Sequence, residues 1–485
     1  MSFSPIPEII DGLPNIAGWD SQVETVTSRR EPVFLSRTQL LLDRIQAAFA
    51  VGLHMHQPLI IGGNDVRTGS LIGNLQHMME NQHIHGNHDA PAFAWCYGRT
   101  ADFIRELADA GRQPRVMLDY SGCLLFGLRQ MGRGDILDNL KTIAAGDRYW
   151  PFAEWLGTFW GHAVAPSTPV PDLKLHMRAW QHHFAAIFGW EALGRVRGFS
   201  PPEMSLPNHP DVCYEYVKAL RDCGYGWLLV QEHSVEEVDG SGLGERYLPR
   251  RLVARNFKGE ETSITALIKT QGSDTKLVGQ MQPYAEARGQ NPRSLKGKTV
   301  PPLVMQISDG ENGGVMMNEF PGNYMRVWYE TGSEGVVGLN GTEYLEMLAA
   351  KGLSADDFDP IQPIHQHTIW SRAGTIPTPE QVARAIAEAK ASDHRFHMEG
   401  GSWTNNLSWV KNYANVMDPL NELSARFHEK TEGKPVDKNS HRYRNALLYL
   451  LVSQTSCYRY WGQGIWTDYA REVIRRGNDI LACDF

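Results

Sequence analysis

Twice between residues 171 and 230 the chain spells the same pattern. "PDLKLHMRAWQHHFAAIFG" carries a proline in its first turn, apolar residues at helical spacing and a closing glycine. "PDVCYEYVKALRDCG" repeats this before running into the apolar "YGWLLV". Proline fits the first turn of a helix and glycine takes the left-handed conformation that ends one, so each segment predicts a helix with marked ends. The second leads straight into a strand. "RVMLDYSGCLLFGL" at 115–128 reads as a strand followed by a helix start, and "QLLLDRIQAAFAV" at 39–51 has helical spacing before the unbroken apolar run "FAVGLHM", which predicts a strand buried on both faces. Strands alternating with helices favour a parallel sheet or barrel with outer helices, because parallel neighbours need a crossover connection.

The rhythm changes near residue 340. "TPEQVARAIAEAKAS" at 378–392 has a threonine cap with glutamine three residues on, and "SHRYRNALLYLLVSQTSCYRYW" and "TDYAREVIRRGNDIL" are also helical. The expected organisation is an N-terminal extension (1–45), a barrel-type catalytic region (46–340) and a helical C-terminal region (341–485) that completes the cleft. The stretch "RGQNPRSLKGKTVPP" at 288–302 reads as a polar loop.

A length of 485 residues with 42% hydrophobic content suits an enzyme with a large core. A net charge of -8, with lysine and arginine scattered, gives no electrostatic reason to expect a nucleic-acid or anionic-membrane partner. No apolar stretch approaches the ~20 residues that span a bilayer. The N-terminal sequence has neither the basic nor the apolar region of a secretory signal, and the six cysteines never form C-x-x-C, so a reducing cytoplasm is expected. Fourteen tryptophans offer flat faces for sugar rings, although roughly two in three are expected in the core.

Two segments place carboxylates at strand ends. "GFSPPEMSLP" holds Glu203 behind two prolines that stiffen the chain, and "LVMQISDGENGG" runs from a buried strand into Asp309, Gly310, Glu311 and Asn312. Acid-base cleavage of a glycosidic bond needs two such carboxyls on opposite sides of one carbon. In "GLHMHQP", His54 and His56 share one face of a strand. That geometry serves two chemistries equally: a metal pair, as in hydrolases with an H-x-H motif, or two imidazoles offered to sugar hydroxyls. Further metal ligands would have to come from "HMMENQHIHGNHD" at 77–89, which reads as a polar loop with solvated histidines.

Taken in order, these segments resemble glycoside hydrolase family 57, the α-amylase and 4-α-glucanotransferase group. "HMHQP" is similar to its first motif, Glu154 with "FWGHAVAP" and His162 to its second, "SPPEM" with Glu203 to its third and "SDGENGG" with Asp309 to its fourth. "DYSGCLLFGL", "GGSWTNN" and "TSCYRYWG" resemble supporting stretches of the same family. The resemblance spans roughly residues 48–466.

It implies an α/β fold, an incomplete (β/α)7 barrel with the C-terminal helices packed against it. It also implies a retaining α-glycosidase or transglycosylase acting on α-1,4-glucans or maltooligosaccharides, with Glu203 as nucleophile and Asp309 as acid/base. His54, His56, Gln57, Glu154, Trp160, His162, Trp403 and Trp461 would contact the sugar, and neither cofactor nor metal belongs to that expectation. Two positions depart from the family pattern: Ser200 stands where a tryptophan is expected, and Ser456, Cys457 and Tyr458 replace Ser-Asp-Trp. The alternatives are a metal-dependent hydrolase built on His54 and His56, and a carbohydrate-binding member of the fold without activity.

Overall fold

The computed structural model describes residues 3–63, 65–270, 275–311, 313–375, 377–400, 414–433, 435–460 and 464–485. Seven strands carry the centre: β1 (Ile45–Met55), β2 (Val116–Tyr120), β3 (Ala153–Trp155), β4 (Gly198–Phe199), β5 (Trp227–Gln231), β6 (Glu261–Lys269) and β7 (Leu303–Asp309). Each pairs in parallel with the next. β1 pairs with β2, β2 with β3, β4 with β5, β5 with β6 and β6 with β7, while a single bridge between Gly157 and Phe199 links the ends of β3 and β4. β7 then pairs back onto β1 from Leu303 opposite Ala48 to Asp309 opposite His54. The result is an α/β fold around a parallel-rich sheet. Four further strands extend it: Gly335–Gly338 beside the first half of β1, Arg250–Arg255 antiparallel to β6, Pro360–Pro363 beside Arg250–Arg255, and Val235–Glu237 antiparallel to Pro360–Pro363.

Strand side chains alternate, and the alternation divides the core in two. Ala48, Ala50, Met117, Leu156, Leu229, Leu267, Met305 and Ile307 form one buried cluster, the inner row. Phe49, Val51, Leu53, Leu118, Leu228, Val230, Ile268 and Val304 belong to a second, larger cluster shared with the helices. Both faces are thus apolar, which explains the unbroken run "FAVGLHM". Gly52 continues the inner row because a Cβ there would lie 2.8 Å from the side chain of Ile307. The same parity carries the inner row on to His54 in β1, Asp119 in β2 and Asp309 in β7.

The helices include α1 (Ala90–Asp109), α2 (Gly122–Gln130), α3 (Val170–Phe188), α4 (Pro210–Asp222), α5 (Gly341–Ala350), α6 (His441–Ser453) and α7 (Ser456–Tyr460). α3 ends at Gly189, with φ 94°, as its sequence predicts. Thr378 and Gln381 form the expected capping box on the helix Pro379–Ser392. Two expectations change. The helical spacing at 39–51 gives only a short turn at Leu42–Arg44, because pairing with β7 and Gly335–Gly338 draws the chain into a strand from Ile45 onward. The polar stretch at 288–302 is not all loop, since Arg293–Leu295 and Lys298–Val300 close a small antiparallel hairpin.

Residues 3–44 are tied to segments far along the chain. Glu8 pairs with Arg129, the backbone N–H groups of Val33, Phe34 and Leu35 donate to Glu346, and Asp20 meets Lys438 at 3.0 Å. All six cysteines are free thiols. No described helix is long and apolar enough to cross a membrane.

Candidate active site

Parallel register builds the site. Because His54 lies opposite Asp119 on β2 and Asp309 on β7, the last inner position of each strand meets the others at one end of the sheet. His54 Nδ1 and Asp119 Oδ2 are 2.9 Å apart and buried. One step on, His56 Nδ1 meets Ser121 Oγ at 2.7 Å. Ser121 also caps α2 by accepting the N–H of Leu124. The H-x-H of β1 is therefore matched, rung for rung, by the D-x-S of β2.

His162, on the loop after β3, sits across both. Its ring stacks on His56 with centroids 3.8 Å apart and planes 8° from parallel, and its Nε2 is 2.8 Å from Nε2 of His54. Its Nδ1 lies 2.7 Å from Ser456 Oγ at the start of α7 and 4.0 Å from Glu203 Oε1. Both ring nitrogens of His54 and of His56 are engaged by protein groups, the last being His56 Nε2 with Cys457 Sγ at 3.5 Å. A metal pair would instead leave one nitrogen of each ring directed at a shared point.

Glu203, on the turn after β4, has φ 58°, Met204 has φ 50° and His162 has φ 55°. Left-handed backbone at non-glycine residues costs energy, and it gathers where the surrounding structure fixes a functional side chain. Gln57 holds this end of β1 against Asn74, whose side-chain amide donates to its carbonyl oxygen at 2.8 Å. Glu311 accepts the backbone N–H of His56 and the hydroxyl of Tyr97, both at 3.2 Å. Arg99 of α1 donates to the carbonyls of Gly310 and Met316 and so fixes the turn that follows Asp309.

The electrostatics follow from burial and these partners. Burial opposes a charge on His54, but Asp119, helped by Asp309 and Glu311, lifts its pKa to about 9. Burial and the His54 charge drive His56 well below its ordinary value, and burial with both neighbouring imidazoles does the same to His162. Burial and Asp309 push Glu311 up to about 8. Cys457 rises to about 12, first through burial and then through the field of Glu203, with Asp309 contributing as well. This thiol stays neutral in the field of both carboxylates.

Two of the expected sugar contacts lie elsewhere. Glu154 turns from β3 to the first turn of α5, where its carboxyl accepts the N–H and hydroxyl of Thr342. Trp160 is fully buried, donates to His183 Nδ1 at 3.2 Å and packs so closely on Gly122 that a Cβ there would fall 2.1 Å from its ring. Ser200 is buried and its backbone N–H donates to Gly157 O at 2.8 Å, continuing the bridge between β3 and β4. Trp403 and Trp461 lie outside the described residues. The sequence does not single out Asp119, Ser121 or Tyr97, and it marks Ser456 only as part of a departure from the family pattern. The first two were signalled by "LDYSG", whose period of two copies that of "LHMHQ".

No family model and no curated protein matches the sequence. Among solved structures the fold is similar to that of the 4-alpha-glucanotransferase from Thermococcus litoralis, with a TM-score of 0.51 and 18% sequence identity. That alignment covers 85% of this chain and 54% of the other, so the chain spans about half the length of the enzyme it matches. A GH57 branching enzyme from Thermococcus kodakaraensis aligns at a TM-score of 0.48 and 12% identity over 91% of this chain and 89% of that one. An alpha-amylase from Thermotoga maritima aligns at 0.47 and 10% over 90% and 93%.

Proposed function

We propose that this chain is a retaining α-glycosidase or transglycosylase of the family 57 type, acting on α-1,4-linked glucans. The observation that carries the reading is the meeting of Glu203 and Asp309 around one small set of groups. Asp309 stands beside His54, His54 bonds His162, His162 faces Glu203, and the neutral Cys457 thiol lies in the field of both carboxylates. Likeness of fold to a 4-alpha-glucanotransferase and the ordered motifs of the sequence support the same reading. The cycle of parallel pairings is then the incomplete (β/α)7 barrel, with the site at the C-terminal ends of its strands.

In this mechanism Glu203 attacks the anomeric carbon while Asp309 gives a proton to the departing glycosidic oxygen. A covalent glycosyl-enzyme results. Asp309, now ionised, takes a proton from water or from a sugar hydroxyl, which displaces Glu203 and restores the α-anomer. Gln57 offers a hydrogen bond to the sugar in the reacting subsite, while His56 and His162, whose ring nitrogens bond Ser121, Cys457, His54 and Ser456, act as the stacked pair that shapes it. Retention requires carboxyls about 5–5.5 Å apart, against roughly 6.5 Å or more for inversion.

The test is incubation with maltoheptaose and with glycogen, with products separated by chromatography and the first anomer read by NMR. The reading expects α-anomeric products from the wild type and loss of at least about a thousandfold in rate from Glu203→Ala and Asp309→Asn. Shorter products only would mark a hydrolase, longer ones a transferase, and new α-1,6 signals a branching activity. A β-anomer formed first, or equal inertness of all three proteins that still bind glucan, would overturn it.

A further inference from the structure

Asp119 ends the inner row of β2, is wholly buried, and among the described residues has a single partner for its carboxylate. Its Oδ2 is 2.9 Å from His54 Nδ1, while Oδ1 has no hydrogen-bond partner among those residues. A buried carboxylate held by one ring is tolerable when that ring is a full cation, since an uncompensated buried charge is strongly destabilising. On the far side of the ring, His54 Nε2 and His162 Nε2 are 2.8 Å apart, so one of the two carries the proton between them.

Two assignments are open to that pair. If His162 donates, His54 is neutral, Asp119 is an uncompensated anion, and the lone pair of His162 Nδ1 points to the side where Glu203 Oε1 lies 4.0 Å away. If His54 donates, it is an imidazolium between Asp119 and His162. His162 then accepts at Nε2 and has its proton on Nδ1, where it donates to Ser456 Oγ at 2.7 Å with the positive end of that N–H beside Glu203. In both assignments His54 Nδ1–H donates to Asp119, but only the second gives that buried carboxylate a counter-charge and turns an N–H rather than a lone pair toward Glu203.

We propose that Asp119 is a positioning residue that holds His54 as an imidazolium and thereby fixes the tautomer of His162, so that an N–H and not a lone pair faces Glu203. The role of Glu203 as nucleophile rests on the function proposed above; the proton assignment does not. The charged and titratable groups facing His54 are Asp119 on β2, Asp309 and Glu311 at the end of β7, His56 on its own strand and His162 on the loop after β3. The three acids favour the cation, and the two other imidazoles are kept neutral by burial and by the cation itself.

The experiment has two arms. Protein labelled with 15N-histidine is examined by NMR at pH 8, with Glu, Asn and wild type at position 119 and with His54→Gln to assign the signal. Both His54 nitrogens are expected to show imidazolium shifts in the wild type and in Asp119→Glu, and a neutral ring in Asp119→Asn. In the second arm, kcat/KM for maltoheptaose is followed against pH. Asp119→Asn is expected to move the alkaline limb down and the acidic limb up, each by roughly one pH unit or more, because removing a neighbouring charge shifts a pKa by that amount. Asp119→Glu restores the wild-type profile. A purely structural residue would lower the rate equally at every pH.

A neutral His54 in the wild type at pH 8, or a cationic one in Asp119→Asn, overturns the proposal, as does a uniform fall in rate. The wild-type spectrum decides the proton assignment even if no variant folds. If the protein has no activity on glucans, the NMR arm still stands and only the functional reading falls.

Discussion

Glu154→Gln separates a buried structural acid from a sugar ligand. The Glu154 side chain is 1% exposed and lies against the first turn of α5. Burial raises its pKa from 4.5 to about 8, against the lowering effect of the Thr342 donors and with added repulsion from Glu346 and Glu343. Between those two values the folded chain keeps a proton that the unfolded chain has lost. Its contribution is therefore intact below pH 4.5 and falls as pH rises, by a factor of ten in the folding constant for each unit, until about pH 8. Over the whole window this is on the order of 5 kcal/mol. Glutamine has the shape of the neutral acid, can still accept the N–H of Thr342 and cannot ionise. The stability gap between variant and wild type should be small near pH 5, grow in favour of the variant up to pH 8 and then stay flat. Urea denaturation at half-unit steps from pH 5 to 9 measures it. Parallel curves would refute the reasoning, and a gap that widens toward acid would show that Glu154 is ionised in the fold. If the residue held sugar instead, the variant would lose activity without this pH-dependent gap.

Two further substitutions probe the packing around the site. Gly122→Ala puts a Cβ 2.1 Å from the ring of Trp160, so it should destabilise by about 1–3 kcal/mol and shift tryptophan fluorescence; a thermal midpoint equal to that of wild type would show that the ring can move aside. Arg99→Met removes the donors to Gly310 and Met316 but also two buried nitrogens, Nε and Nη1, that have no hydrogen-bond partner among the described residues, so stability should change by less than about 2 kcal/mol while kcat falls at least tenfold with KM little altered. Unchanged kcat would mean that the turn after Asp309 needs no such clamp.

What the sequence made legible depended on whether a signal was local. The ends of α3 and the capping box at Thr378 were readable because proline, glycine and threonine act on their own backbone. Local spacing misplaces the first third of the strand at 45–55, because two flanking strands decide where it begins. The same division runs through the site. Period-two alternation put His54 and His56 on one face, and a comparison of "LHMHQ" with "LDYSG" offers Asp119 and Ser121 as partners, because parallel neighbours in register bring like positions together. The left-handed backbone at His162 and Glu203 had no such signal. Glutamate does not favour φ near 55°, and histidine visits that region too seldom for its presence to predict it, so only the packed structure imposes it. Motif order placed Glu154 with the sugar-binding set, but order along the chain does not tell which group a side chain turns toward, and Thr342 comes from a helix almost two hundred residues away. Cys457 is the converse case: its approach to His56 crosses most of the chain, and its neutrality follows from burial among carboxylates that the sequence listed separately. A substitution that restores a carboxylate there would add a third acid to the field of Glu203 and Asp309 and should raise the carboxyl pKa values of the site, so the neutral thiol spares this pair a like charge.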